Sequence, residues 1–146
     1  MSEKDYDPRM HTAEHILNQT MVRKYNCGRA FSSHVEKKKS KCDYRISQAL
    51  SAEELLAIEN AVNAVIECNF DVTEGYVSKQ DAAEFLDLSK LPSNAPDLIR
   101  VIRVGDYDAC ACIGPHVKNT SAIGRFKIIS SDFNAGVVRL RFKLEH

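Results

Sequence analysis

Apolar residues recur at helical spacing from Met10 through Ala13, Leu17, Met21 and Val22, which predicts a helix over 10–25 that opens near Pro8 and stops near Cys27 and Gly28. Residues 31–36 and 42–47 then read as two strands around the basic turn Lys37-Lys38-Lys39-Ser40-Lys41. The clearest amphipathic stretch is 51–68. Ser51 with Glu54 three residues on forms a capping box, and Leu55, Ile58, Val62, Val65 and Ile66 make one apolar stripe. Beyond it the pattern predicts a strand over 70–78, a short helix over 81–86 and a proline-punctuated loop over 91–96. Strands over 98–104 and 107–112 are joined by Gly105-Asp106, and a last hairpin pairs 126–131 with 137–144 around Asn134-Ala135-Gly136. Helices interspersed with hairpin-linked strands predict an α+β domain of two layers, with the helices packed on a largely antiparallel sheet.

At 146 residues with no internal repeat, the chain is expected to be a single domain with one core that needs no disulfide staples. No apolar run approaches a membrane span, and the charged start MSEKDYDPRM lacks the apolar stretch of a signal peptide, so a cytoplasmic protein is expected. There Cys27, Cys42, Cys68, Cys110 and Cys112 would be reduced, and their odd number argues against a disulfide framework. Leu144-Glu145-His146 resembles an expression-tag remnant, which sets His146 aside as a ligand. With 20 basic and 20 acidic residues the net charge is zero, so contact with a polyanion has to come from a local cluster and not from a global field.

Two pairs of residues carry candidate chemistry. In His11-Thr12-Ala13-Glu14-His15 the histidines are four apart, which on a helix puts both on one face about a turn apart. In Cys112-Ile113-Gly114-Pro115-His116 a thiol and an imidazole are again four apart, on a segment that Gly114 and Pro115 make a turn. Either pair alone reads equally well as helix-face histidines or as a buried thiol beside a surface imidazole. Together they supply the N and S donors of one tetrahedral site, for which Zn2+ is the fitting ion. The first run also satisfies HxxEH, the inverted zinc-peptidase motif, in which Glu14 would activate water; that reading leaves Cys112 and His116 without a purpose.

The residues around both pairs resemble the editing domain shared by threonyl- and alanyl-tRNA synthetases and by free-standing alanyl-tRNA editing proteins. His11 to Leu17 carries part of the likeness, and Cys112-Ile113-Gly114-Pro115-His116-Val117-Lys118-Asn119-Thr120 with Ile123-Gly124-Arg125-Phe126-Lys127-Ile128 carries the most specific part. Ser33-His34-Val35, Ile58-Glu59 through Asn63, and Gly136 to Leu140 fall in family-like order, so the resemblance spans nearly the whole chain. It implies the synthetases' second additional domain fold. It also implies His11, His15, Cys112 and His116 as zinc ligands, with trans-editing hydrolysis of a mischarged aminoacyl-tRNA, typically seryl-tRNA of alanine or threonine identity.

A second site of this kind is needed because a pocket that accepts alanine discriminates only about a hundredfold against an isostere that adds a hydroxyl. Glu14 is then a candidate general base and His11 and His15 lie at the catalytic centre. Lys37, Lys38, Lys39 and Lys41, with Arg23 and Lys24, become candidate tRNA phosphate contacts. His34 either points into the cleft or packs, while Asn119 and Thr120 serve the turn. Two departures stand out. Alanyl-type members read CGGTH at the second pair where this chain has Ile113 and Pro115, and an acidic residue two positions before the cysteine is replaced by Cys110. They motivate an alternative, a non-catalytic zinc-stabilised tRNA-binding module. A chain of this length has no room for an aminoacylation core and is not expected to charge tRNA.

Overall fold

In the computed structural model, residues 7–84, 86 and 97–145 are described. The first helix, α1, is Pro8–Tyr25. It opens two residues before Met10 because Asp7 Oδ1 accepts from the backbone N–H groups of Arg9 (2.9 Å) and Met10 (3.2 Å), and it closes on Asn26 in the left-handed region at φ 52°. The second, α2, is Ala52–Glu67, and both halves of the Ser51/Glu54 capping box form. The short α3, Lys79–Ala83, begins earlier than the apolar pattern predicts because the Ser78 hydroxyl caps it at Asp81 N–H (3.1 Å). The 91–96 loop expected from its prolines lies outside the described residues.

Among the described residues, seven strands follow the predicted order: β1 Ser32–His34, β2 Ser40–Arg45, β3 Val72–Ser78, β4 Leu98–Val104, β5 Asp108–Ala111, β6 Arg125–Asn134 and β7 Val137–Glu145. All pairings are antiparallel, as an α+β domain requires. They form two sheets in place of one, a four-stranded sheet ordered β1-β2-β7-β6 and a three-stranded sheet ordered β3-β4-β5. In the first hairpin β1 is shorter than expected and β2, of the expected length, begins two residues earlier, so Lys41 sits within β2, opposite Arg141, and not in the turn. Leu144 and Glu145 continue β7 opposite Phe126 and Arg125.

The main core lies between α1, α2 and the larger sheet. Met10, Leu17 and Met21 from α1 and Ile58 and Val62 from α2 are buried with Tyr44, Phe126, Leu140 and Phe142. The Phe126 and Phe142 rings meet 5.2 Å apart. The helix stripe also covers an edge. Strand β6 ends its sheet, and Asn63 answers Phe126 as another strand would, donating to its carbonyl and accepting from its N–H, both at 2.8 Å, while Glu59 accepts from Ile128 N–H. A smaller cluster of Ala82, Ile99 and Val101 packs on the second sheet. At the β4–β5 turn Gly105 has φ +51°, and a Cβ there would run into the Phe70 ring, so both backbone conformation and space call for glycine. No helix among the described residues is long and apolar enough to cross a membrane.

Candidate metal centre

His11 and His15 project from one face of α1 and are buried, at 4% and 3% exposure. Strand β5 packs against α1, and the chain leaving β5 carries Cys112 and then His116 back across that face. The side-chain donor atoms of His11, His15, Cys112 and His116 all lie within 4.8 Å of one another. The His11 and His116 rings stack at 4.1 Å between centroids, and the His15 ring stands edge-on to both, at 5.0 and 4.5 Å. The helix pair and the turn pair, 101 residues apart at Cys112 and His11, thus converge on one point.

Hydrogen bonds fix how two of these imidazoles face that point. His11 Nδ1 is 3.0 Å from the Pro115 carbonyl, which can only accept, so Nδ1 carries the proton and Nε2 turns its lone pair toward Cys112 Sγ at 3.3 Å. Thr12 Oγ1 donates to the Pro8 carbonyl (2.9 Å), so it can only accept from His116 Nδ1, also at 2.9 Å. His116 Nε2 is therefore unprotonated, and it is buried with no hydrogen-bond partner. A buried acceptor left without a partner costs about 1–3 kcal/mol. A cation among these four donors would satisfy it.

Zinc bonds of about 2.0–2.1 Å to nitrogen and about 2.3 Å to sulfur would set these donors about 3.3–3.5 Å apart, so a separation at the 4.8 Å limit closes by about 1.3–1.5 Å. The residues present fit the ion in number, type and spacing. Their protonation is also suitable. Burial, then the neighbouring His11 and Arg100 charges, push His116 down to about 3. Burial, then the neighbouring His116 and Arg29 charges, holds His15 well below the ordinary value, and burial lowers His11 despite the opposing pull of Glu14. All three are neutral and ready to ligate at pH 7. Burial raises the Cys112 thiol, so a metal arriving there has to displace its proton.

The turn is held from beneath. Arg100 Nη1 donates to the carbonyls of Cys112 (3.1 Å) and Gly114 (2.8 Å), while its Nε pairs with Glu74 at 2.6 Å. Val117 N–H adds a bond to Thr12 Oγ1 (3.2 Å). Beside the cluster, Glu14 Oε2 accepts from Asn18 Nδ2 and Ser33 Oγ, both at 3.1 Å, which turns Oε1 toward His11 Nε2 at 4.0 Å. Asn18 is itself fixed by Tyr44 Oη, which donates to its Oδ1 at 2.7 Å. Thr12, Asn18 and Arg100 carry no sequence signal of their own; each is legible only once helix and turn are known to meet.

The remaining predicted residues are placed elsewhere. Cys110 is outside the four-donor cluster, with its thiol pushed up to about 12 chiefly by burial. Lys37, Lys38 and Lys39 are exposed at the β1–β2 tip. Lys39 and Lys41, with His34, Glu36, Ser40 and Arg141, line a cleft of about 250 Å³. Lys24 is exposed. Arg23 is engaged, its guanidinium 4.2 Å over the Tyr107 ring and bonded to the Tyr107 carbonyl at 2.8 Å. Asn119 caps the 3-10 turn Thr120–Ala122 through Ser121 N–H, and Thr120 bonds Ile66 and Phe70, so both serve the turn.

The segment from β4 into β7, which carries the turn pair of the site, matches a known class of domain. The family model described as the threonyl and alanyl tRNA synthetase second additional domain matches residues 99–141, which include Cys112 and His116. Over that stretch the chain is similar to the family. Similarity extends over its length: it is 37% identical over 134 residues to an alanine--tRNA ligase of Fervidobacterium nodosum, covering 90% of this chain and 16% of the relative. Alanine--tRNA ligases of Pseudoalteromonas translucida (35% over 133 residues, 89% of this chain) and Aeropyrum pernix (35% over 139 residues, 92%) align similarly. The chain spans 15% of the length of each of these two.

Proposed function

We propose that this protein is a zinc-associated trans-editing deacylase that hydrolyses the ester of a mischarged aminoacyl-tRNA, with seryl-tRNA of alanine or threonine identity as substrate. The observation that carries this reading is the convergence of His11, His15, Cys112 and His116 within 4.8 Å, in a domain related to the tRNA ligases. The name of those relatives supports tRNA as the partner. The working place of such an activity is the cytoplasm.

The four side chains would hold Zn2+, which supplies Lewis acidity toward the ester carbonyl or the attacking water. Glu14 Oε1 faces the cluster while Oε2 is anchored, so the carboxylate is oriented to take a proton from water as its oxygen bonds to the carbonyl carbon. The carbon–oxygen bond to the terminal ribose then breaks. The proton held on Glu14 returns to the ribose oxygen, releasing free amino acid and tRNA. Asn18 and Ser33 keep Glu14 in place, and Thr12 and Arg100 keep the turn that carries Cys112 and His116 against α1.

One observation favours a second reading, a non-catalytic zinc-stabilised tRNA-binding module: four protein donors fill a tetrahedral shell, as structural zinc sites do. A deacylation assay on a panel of mischarged tRNAs separates the two. Release of serine above the buffer rate by the zinc-loaded protein, with correctly charged tRNA spared, is the expected result. Full zinc occupancy with no release from any member of the panel makes the binding module the better reading.

A further inference from the structure

His15 is the one member of the cluster whose ring orientation the bonds described above leave open, and its surroundings hold a charge with no assigned purpose. Asp108, the first residue of β5, has a fully buried side chain. Its Oδ1 accepts from Arg29 Nη1 (2.7 Å) and Gln19 Nε2 (2.9 Å), which uses both lone pairs, and its Oδ2 accepts from Arg29 Nη2 (3.3 Å). The second lone pair of Oδ2 faces His15 Nδ1 at 3.7 Å, and Nδ1 is buried without a hydrogen-bond partner. A buried ion pair is a weak source of stability, since apolar residues of similar size often replace one at no cost. Its position explains it better. Gln19 lies one turn beyond His15 on α1 and grips the same carboxylate, so α1, the Arg29 segment and β5 are tied together beside a ligand.

We infer that Asp108 is a positioning residue for the metal centre: it accepts a hydrogen bond from His15 Nδ1 and so presents Nε2 to the ion, with Arg29 keeping the carboxylate aimed. The inference rests on the metal-binding part of the reading above and adds the outer partner for its third imidazole. Histidine ligands need such partners to fix tautomer and ring orientation, and losing one typically lowers metal affinity about 10–100-fold. Closing 3.7 Å to a hydrogen bond takes less than about 1 Å of ring or carboxylate movement. His11 and His116 already have their outer partners, the Pro115 carbonyl and Thr12. Asp108 completes the set.

The test uses the full chain as wild type, as Asp108→Asn, and as the paired replacement Arg29→Met with Asp108→Val, which removes the carboxylate without stranding a buried cation. Zinc affinity is measured against a chromophoric chelator, geometry by the visible absorption of bound Co2+, and folding by melting of the metal-free forms. The paired variant should melt within a few degrees of wild type, bind zinc about 10–100-fold more weakly and show shifted cobalt bands, with Asp108→Asn changed in the same direction. In zinc-loaded wild type, nitrogen NMR should show His15 Nδ1 protonated and Nε2 metal-bound, a readout that needs no variant to fold. Unchanged affinity and bands in the paired variant, or a metal-bound His15 Nδ1, overturns the role of Asp108 alone. A wild-type chain that takes up neither ion overturns it together with the metal centre.

Discussion

Thr12 Oγ1 stands 2.9 Å from His116 Nδ1 and 3.2 Å from Val117 N–H, so one hydroxyl on α1 fixes both the His116 imidazole and the backbone that carries it. Thr12 is fully buried, and its own proton goes to the Pro8 carbonyl. Replacing it with valine keeps the shape and strands two donors. Thr12→Val is expected to destabilise the protein by about 1–3 kcal/mol in urea denaturation and to weaken zinc binding, whereas Thr12→Ser, which keeps the oxygen, stays near wild type on both. A valine variant with unaltered zinc affinity would show that His116 needs no partner on Nδ1.

Metal content is the most direct check on the cluster. The purified protein should carry about one zinc per chain, since the four donors surround one point and a zinc shell is four-coordinate. Stripping the ion leaves His116 Nε2 unsatisfied again and loosens the tie between α1 and the turn, so chelation should lower the melting temperature. Cys112→Ser should bind zinc far more weakly and lose most of that chelation effect. Metal-free protein on purification, with the same melting curve in chelator and in added zinc, would exclude the centre.

Much of this could be read from the chain beforehand, and the parts that could not share a cause. The stripe Leu55, Ile58, Val62, Val65 and Ile66 and the Ser51/Glu54 box are local patterns, and α2 forms where they place it. His11 and His15 share a helix face for the same reason. Which strands pair is not local: the separation of β3-β4-β5 from β1-β2-β7-β6 depends on contacts between distant segments, and no spacing encodes it. The same holds for Thr12 and Asp108, whose partners lie 104 and 79 residues away. The hairpin ends shifted because Ser40, buried and bonded to both backbone groups of Glu36, closes the tip five residues after Val35, which the apolar count alone could not reveal.

Acid should destabilise the metal-free protein. His116 is pushed down to about 3 in the folded state, and His11 and His15 are also lowered, while the unfolded chain keeps its histidines near 6.5. Between those values the unfolded chain binds protons that the folded one refuses, so unfolding free energy rises with pH through the window and falls as pH drops below about 6.5. The urea midpoint of the stripped protein is therefore expected to be clearly lower at pH 5.0 than at pH 7.5. Equal midpoints would mean that the three imidazoles titrate normally in the fold.

Glu14 is held by Asn18 and Ser33 with one oxygen toward the ligands, an arrangement suited to moving a proton. Glu14→Gln keeps the size and removes the base. On the tRNA that proves to be the substrate it should lower the deacylation rate about 10²–10⁴-fold while zinc content and tRNA affinity stay within about twofold of wild type. A rate within twofold of wild type would leave Glu14 as a packing residue of α1. Loss of a peptide-cleaving activity in the same variant would instead point to the HxxEH peptidase reading.

A neutral protein acting on a polyanion has to concentrate its positive charge, and the densest cluster in this sequence is Lys37, Lys38, Lys39 and Lys41. The first three are exposed at the β1–β2 tip, and Lys41 lies opposite Arg141 beside the cleft of about 250 Å³ that His34 and Lys39 also line. The hairpin also reaches the candidate metal centre: Ser33 of β1, one residue before His34, bonds the Glu14 carboxylate. A backbone held along this hairpin would thus run toward the face of α1 that carries His11 and His15. Replacing the four lysines with alanine should weaken tRNA binding and flatten its dependence on salt, because each lost phosphate contact reduces the slope of log affinity against log salt by about 0.7–0.9. The loss should be the same for tRNAs of different sequence, since phosphate contacts position the ligand without reading bases. Zinc content should not change. An unaltered salt slope in the quadruple variant would make the tip a solvated turn and move the search to Lys24, Lys118 and Arg125, which are also exposed; Arg23, spent on Tyr107, would come last.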